Sequence, residues 1–252
     1  DVGADLYPYD RASTNLGIRL PGWALAGGQL KERLADSATR SKIALEMKQN
    51  LAEMGEPDYA FATVARFAAN PAYEGKTISE INALKGRAPG AENEIETVFD
   101  LMNAGGASMI YHLMGEVDIE RFLRYPFTAI ASDGGITELG VGNPHPRSYG
   151  TNARVLAEYV RVRGVLTLED AIRRMTSLPA RTFGLDDRGF LRQGMAADLV
   201  LFDPVRVQDK SSYAQPHQYS QGFDFVLVNG QIVVDDGKLT AARPGQPLRH
   251  RE

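Results

Sequence analysis

Apolar residues recur along this chain with the periods of both helix and strand. Leu30 and Leu34 share one face, and Ile43, Met47 and Leu51 follow at i, i+4 and i+8. That is the spacing of helices with one buried stripe. Asp36-Ser37 divides the stretch and supplies an N-cap between two helices. Ile95, Val98, Phe99 and Met102 predict a further helix over 94–102, stopped by Gly105-Gly106. Shorter helices are expected over 78–84, with Thr77 or Ser79 near the start, and over 118–123, ended by Pro126. Val155, Leu156, Tyr159 and Val160 point inward from a helix over 151–163 that ends at Gly164. The next helix, 168–175, has Thr167 as N-cap and Asp170 three residues later, a variant of the capping box. Pro179 opens a short helix that Gly184 closes.

The strand patterns are briefer. Val2–Tyr9, Tyr59–Val64, Ala107–Leu113 and Phe127–Ser132 read as extended. Beyond Asp187 the texture becomes mostly β: Leu199–Phe202, Phe225–Val228 and Ile232–Val234 are strands, and Asn229-Gly230 joins the last two in a hairpin. The stretch 106–184 is mixed α/β. No internal repeat is visible, and 241–249 is a Pro/Gly tail expected to wrap the surface.

Composition narrows the function classes. An apolar fraction of 43% and a charged fraction of 24% are those of an ordinary globular protein. A net charge of −4, with no Lys/Arg cluster, gives no case for nucleic acid. No run approaches the ~18–20 apolar residues of a membrane span. With no cysteine there are no disulfides or thiolate ligands, which fits a cytoplasmic setting. The opening Asp1-Val-Gly-Ala-Asp5 has neither Met nor a signal core, so the chain is expected to be a fragment, a processed piece or the ordered part of something longer. P-loop, dinucleotide-fold and serine-hydrolase motifs are missing.

Asp133 ends the apolar run Phe127–Ser132 and precedes Gly134-Gly135. A buried strand presents a carboxylate to an active-site rim in this way, with the glycines turning the chain away. Such a group ligates a metal, or takes the proton of a metal-bound water and passes it to a leaving amine. The competing reading is a turn-forming Asp. Only four histidines and no H-x-H pair are present, so the other parts of such a site lie outside these residues. His145, in Pro144-His-Pro-Arg147, is either a substrate contact or a capped loop histidine. Arg147 either binds a carboxylate bidentately or pairs with a neighbouring acid. Tyr7, Tyr9 and Ser13 follow a strand on one turn; they either bind an anionic group or plug a core. His112 reads as a core histidine, and His217 and His250 receive no role.

These segments together resemble the C-terminal half of the N-acyl-D-amino-acid deacylases (D-aminoacylases) of the amidohydrolase superfamily. The stretches that carry the resemblance are Asp5-Leu-Tyr-Pro-Tyr9 with Ser13-Thr14, Leu20-Pro-Gly-Trp23, Ala131-Ser-Asp-Gly134, and Pro144-His-Pro-Arg147 with Tyr149-Gly-Thr151. They continue with Met175-Thr-Ser-Leu-Pro179, Gly194-Met-Ala-Ala-Asp-Leu-Val200, Phe202-Asp-Pro204 and Val228-Asn-Gly230. The resemblance implies an α/β fold, the C-terminal part of a (β/α)8 barrel with a small β-sandwich segment. Residues 1–186 would be the barrel part, with Leu6–Tyr9 on its seventh strand, Phe127–Asp133 on its eighth, and an insertion near 30–105 that caps the active site. Residues 187–252 would be the sandwich segment.

It also implies zinc-dependent hydrolysis of the amide bond of N-acyl-D-amino acids. Asp133, a candidate metal ligand by its strand-end position, matches the family's aspartate that activates the zinc-bound water and relays its proton to the departing amine, while Tyr7 and Ser13 match residues that hold the substrate's α-carboxylate. His145 and Arg147 join them as substrate-binding candidates. The H-x-H pair, the cysteine ligand and two further histidines have no match here, so the missing N-terminal half of the barrel is an expected partner. Two alternatives stay open: a non-catalytic fragment or subunit completed by another chain, and a different amidohydrolase such as a cyclic amidase or deaminase.

Overall fold

The computed structural model describes residues 2–248. Helices form close to where the apolar periodicity places them, and their ends carry the expected chemistry. Asp36 accepts a hydrogen bond from Thr39 N at 2.8 Å and caps the helix Ser37–Met54, which buries Ile43, Met47 and Leu51. Gly55 ends it at φ 75°, a left-handed conformation that favours glycine. Thr77 and Glu80 form a reciprocal capping box on Ile78–Leu84. Thr167 accepts from Asp170 N at 3.2 Å to start Leu168–Met175.

Nine strands form among the described residues: β1 (Ala4–Leu6), β2 (Arg11–Asn15), β3 (Ala62–Arg66), β4 (Ser108–His112), β5 (Thr128–Ile130), β6 (Leu199–Phe202), β7 (Phe223–Val228), β8 (Gln231–Asp235) and β9 (Lys238–Leu239). The polar run Arg-Ala-Ser-Thr-Asn of β2 has no apolar alternation and is not legible as a strand in the sequence; its pairing with β4 makes it one. β3 starts three residues later than the apolar pattern suggests. Tyr59 N is instead bonded to Glu94 Oε2 at 2.7 Å, which holds that residue outside the ladder.

The chain divides into two compact units. One comprises the segment up to Tyr9, Gly115–Thr137 and the chain from Pro146 onward. In it β1 and β5 pair in parallel, Leu6 opposite Ile130. Its core gathers Ile119, Leu123, Ile130, Leu156, Tyr159 and Ala171. Strands β6–β9 form an antiparallel sheet in sequence order. Asn229 (φ 48°) and Gly230 (φ 77°) make its hairpin turn, both in the left-handed region that a two-residue turn of this kind requires. The helix expected over 151–163 begins earlier, at Arg147, runs as α-helix to Arg154 and continues with π-type bonding over Val155–Val162.

The other unit comprises Asp10–Met114 and Glu138–His145. Its sheet has the order β2-β4-β3, antiparallel throughout. The helices Ser37–Met54 and Ala91–Asn103 contribute Ile43, Met47, Val98 and Phe99 to a core shared with Val64, Met109 and Tyr111. The insertion expected near 30–105 lies inside this unit, which extends beyond it on both sides. The boundary expected at 187 does not separate the two units, since β6–β9 belong with β1 and β5. No helix among the described residues is long and apolar enough to cross a membrane.

Candidate active site

The backbone after β5 decides where Asp133 goes. Asp133 has φ 46°, a left-handed conformation that Asp tolerates better than most residues. At Gly134 a Cβ would lie 2.9 Å from Ser148 Cα and 3.1 Å from Arg147 O. Glycine here lets the chain pass against the start of the helix Arg147–Arg154. Its role is close approach, not the turning away expected from the sequence. The regular strand ends at Ile130, so Asp133 stands three residues past β5 and not on it.

The close approach brings Asp133 Oδ2 to 2.9 Å from Arg147 Nη2. The Arg147 side chain is 8% exposed and that of Asp133 66%. The guanidinium also lies over the Tyr7 ring, 4.6 Å from its centroid. A cation over an aromatic face contributes about 0.5–2 kcal/mol, more as it is desolvated. The ion pair, exposed on one side, contributes no more than about 1 kcal/mol. Tyr7, Asp133 and Arg147 therefore form one contact group within one unit, with the arginine as its fixed centre.

The other expected residues fall elsewhere. Ser13 is not on a turn with Tyr7 and Tyr9; it lies on β2 in the second unit, where its hydroxyl donates to Met109 O at 2.9 Å. His145, in the same unit, is 3% exposed, and its Nε2 lies 2.9 Å from Arg11 O. Tyr9 is 3% exposed. Burial first, then the charge of Asp209, pushes its phenol far above the usual tyrosine range, so it is a neutral core group.

His112 does not sit in a core as expected. Its side chain is 51% exposed and its Nε2 lies 3.0 Å from Asp10 Oδ2, because it occupies the outer end of β4. His217, which received no role, bonds through Nδ1 to the Tyr149 hydroxyl at 3.0 Å. That hydroxyl in turn accepts from Thr137 Oγ1 at 2.9 Å. His250 lies outside the described residues.

The sequence reading also missed Arg154 and Asp209. Asp209 has a side chain only 9% exposed, 3.7 Å from Arg154 Nη1. Burial raises its carboxyl above the usual range, and Arg154 opposes that rise. The one local signal was Gly150, inside a helix where glycine is otherwise unfavourable. No group of three or more His, Cys, Asp or Glu that could hold a metal ion occurs among the described residues.

Comparison with known proteins shows what the chain is similar to. The amidohydrolase family model matches residues 35–234. The N-acyl-D-aspartate deacylase of Alcaligenes xylosoxydans xylosoxydans is 46% identical over 142 residues, 56% of this chain and 28% of the relative. A crystal structure of D-aminoacylase, described as defining a novel subset of amidohydrolases, superposes with a TM-score of 0.72 at 31% identity. The match covers 96% of this chain and 41% of that one. The N-acyl-D-glutamate deacylase of Bordetella bronchiseptica, solved with zinc and a phosphonate mimic of the tetrahedral intermediate, superposes with a TM-score of 0.70 at 30% identity. That match covers 95% of this chain and 42% of the other. The chain thus spans about three tenths of the curated relative and about two fifths of the solved ones.

Proposed function

The chain belongs to the amidohydrolase family, and from that premise we propose that it serves the hydrolysis of N-acyl-D-amino acids to a carboxylate and a D-amino acid. The observation that carries the reading is Asp133, held at 2.9 Å by a buried arginine just beyond a strand paired in parallel. The similarity to deacylases of N-acyl-D-aspartate and N-acyl-D-glutamate supports the choice of substrate class. In the same reading β1 and β5 are the seventh and eighth strands of a (β/α)8 barrel. The unit around residues 10–114 is then an insertion between them, and β6–β9 belong to a β-sandwich segment, in a cytoplasmic enzyme.

Asp133 is the proton carrier. Its exposed carboxylate accepts a proton from the attacking water as the water oxygen bonds to the acyl carbon. It then returns that proton to the amide nitrogen as the C–N bond breaks, so that nitrogen leaves as a neutral amine. Arg147 keeps the carboxylate aimed, and Tyr7 supports Arg147 with its ring while its hydroxyl is proposed for the substrate's α-carboxylate. Ser13 is proposed as a substrate contact by likeness to the family's motif, its hydroxyl donating here to Met109 O. His145, already bonded to Arg11 O, is proposed to hold its loop.

Zinc is the metal this reading takes, by likeness to the Bordetella enzyme. The described residues do not by themselves fit it, since no three candidate ligands cluster, and no step above is routed through it. This favours a second reading, in which the chain acts only with ligands contributed by further polypeptide. Metal analysis decides: the 252-residue chain alone is expected to hold well below one equivalent of zinc after desalting, and a tightly held stoichiometric ion would overturn that reading.

The test of the catalytic assignment is Asp133→Asn in the intact protein, assayed on N-acetyl-D-amino acids beside hydantoins and dihydropyrimidines. Loss of a general base lowers kcat by about 10²–10⁴-fold. Activity within threefold of the parent, or a preference for the cyclic amides, would sink the proposal.

A further inference from the structure

Two arginines begin and end the helix Arg147–Arg154, and both reach the exit of β1. Arg147 covers the Tyr7 ring. Arg154 donates from Nε to the Pro8 carbonyl across 2.7 Å. Arg154 is itself held on its remaining sides. Its Nη1 lies 3.7 Å from Asp209 Oδ2, and its guanidinium lies 5.1 Å from the Tyr9 ring centroid and 5.8 Å from that of Tyr159. The Tyr159 hydroxyl is anchored in turn on Glu116 Oε1 at 2.6 Å.

Gly150 makes the arrangement possible. A Cβ there would stand 2.8 Å from the Tyr9 hydroxyl and 3.0 Å from Asp209 Cβ. Any side chain would lift the helix away from the turn that its last residue grips. That turn needs the grip. β1 is only three residues long, and Pro8 brings no N–H to the backbone network. Tyr9 N bonds back to Tyr7 O at 3.0 Å, and Arg154 supplies the charged clamp from outside.

We propose that Arg154 is a positioning residue. By pinning the Pro8 carbonyl it fixes the Tyr7 ring, on which Arg147 rests, and so sets where Arg147 holds the Asp133 carboxylate. The inference deepens the proposed role of Asp133 and rests on it. It assigns a structural purpose to a buried carboxylate, Asp209, that the proton transfer itself does not use.

The test compares Arg154→Met and Arg154→Lys in the full chain by amide hydrogen exchange and by kinetics on N-acetyl-D-aspartate. Exchange of the amides of residues 4–10 is expected to quicken about tenfold or more in Arg154→Met, and by more than that of amides elsewhere in the same unit. Arg154→Lys keeps the charge facing Asp209 but lacks the Nε donor, so it should fall between the two; it also serves if the Met variant does not fold. In kinetics, Arg154→Met should lower kcat about tenfold, and a misplacement near 1 Å suffices for that. Combined with Arg147→Met it should add less than about twofold, because both act through the same carboxylate. Unchanged exchange at residues 4–10, or losses that simply multiply, would overturn the proposal. If the intact parent protein, with its remaining metal ligands present, hydrolyses no N-acetyl-D-amino acid, the functional reading fails, while the exchange measurement still decides whether Arg154 holds the turn.

Discussion

Arg147 and Asp133 meet across 2.9 Å from opposite environments, the arginine 8% exposed and the aspartate 66%. The buried partner is the one that cannot move: its face rests on Tyr7 and its backbone begins a helix. The exposed partner, Asp133, is the one proposed above to carry the proton, and its side chain is open to water.

Arg147→Met is therefore expected to release Asp133 without removing it. The kcat/KM for N-acetyl-D-amino acids should fall at least about tenfold, within the range for a misplaced catalytic group. Arg147→Lys should recover only part of the loss, because an ammonium lacks the planar face and the fork that serve Tyr7 and Asp133 together. Steady-state kinetics with a melting curve for each variant checks this; equal rates in Lys and Met variants would contradict the geometric role.

Arg174 is a structural counterpart. Its side chain is 2% exposed, with Nε 2.7 Å from Asp170 Oδ2 and Nη1 2.5 Å from Tyr125 O and 3.0 Å from Thr128 O. It ties the helix Leu168–Met175 to the entry of β5. Arg174→Met should cost about 3 kcal/mol, the lower end for breaking a buried, bonded charge, since Asp170 retains Arg173. Urea denaturation measures it, and a change below about 1 kcal/mol would show the pair to be dispensable.

The same pair predicts an acid response. Burial pushes the Asp170 carboxyl up, but the hydrogen bonds and charges of Arg174 and Arg173 outweigh it and leave the group below the usual range. A carboxyl depressed by folding adds stability that is complete above its unfolded pKa of about 3.9. That stability is lost as pH falls from there through the folded value. Asp170→Asn should thus be less stable than the parent at pH 7, with the gap closing below about pH 4. Denaturation midpoints at pH 7 and pH 3 test it; a constant gap would argue that the carboxylate's charge does not matter.

Gly222 and Gly194 separate backbone strain from crowding. Both have positive φ, 85° and 87°, but a Cβ at Gly222 would meet Val207 Cα and N at 2.5 Å, while one at Gly194 would meet nothing within 4 Å. Gly194→Ala should cost only the strain of about 1 kcal/mol. Gly222→Ala must also move backbone and should cost about 3 kcal/mol or more. Thermal melts of the two variants give the comparison, and similar costs would mean that Val207 yields freely.

Much of the local structure follows from neighbours in sequence. The stripe Ile43, Met47, Leu51, the caps at Asp36, Thr77 and Thr167, and the Asn229-Gly230 hairpin all obey rules of a few residues' range, so the one-dimensional pattern is sufficient to place them. Asp133, Tyr7 and Arg147 were also selectable as candidates, because their residue types and motif neighbours carry the resemblance. Their contact was not, because it depends on Gly134 passing under a helix whose start the pattern put four residues late. The strand β2 escaped for the same kind of reason: Arg-Ala-Ser-Thr-Asn becomes extended only through its hydrogen bonds to β4, almost a hundred residues away. His112, read as buried, proved exposed, since burial depends on which end of a strand faces solvent. Short-range patterns thus determined most of the elements, and motif resemblance the candidate residues. Only tertiary structure decided which side chains share an environment, because burial, close backbone approach and ion pairing are set by segments that are distant along the chain.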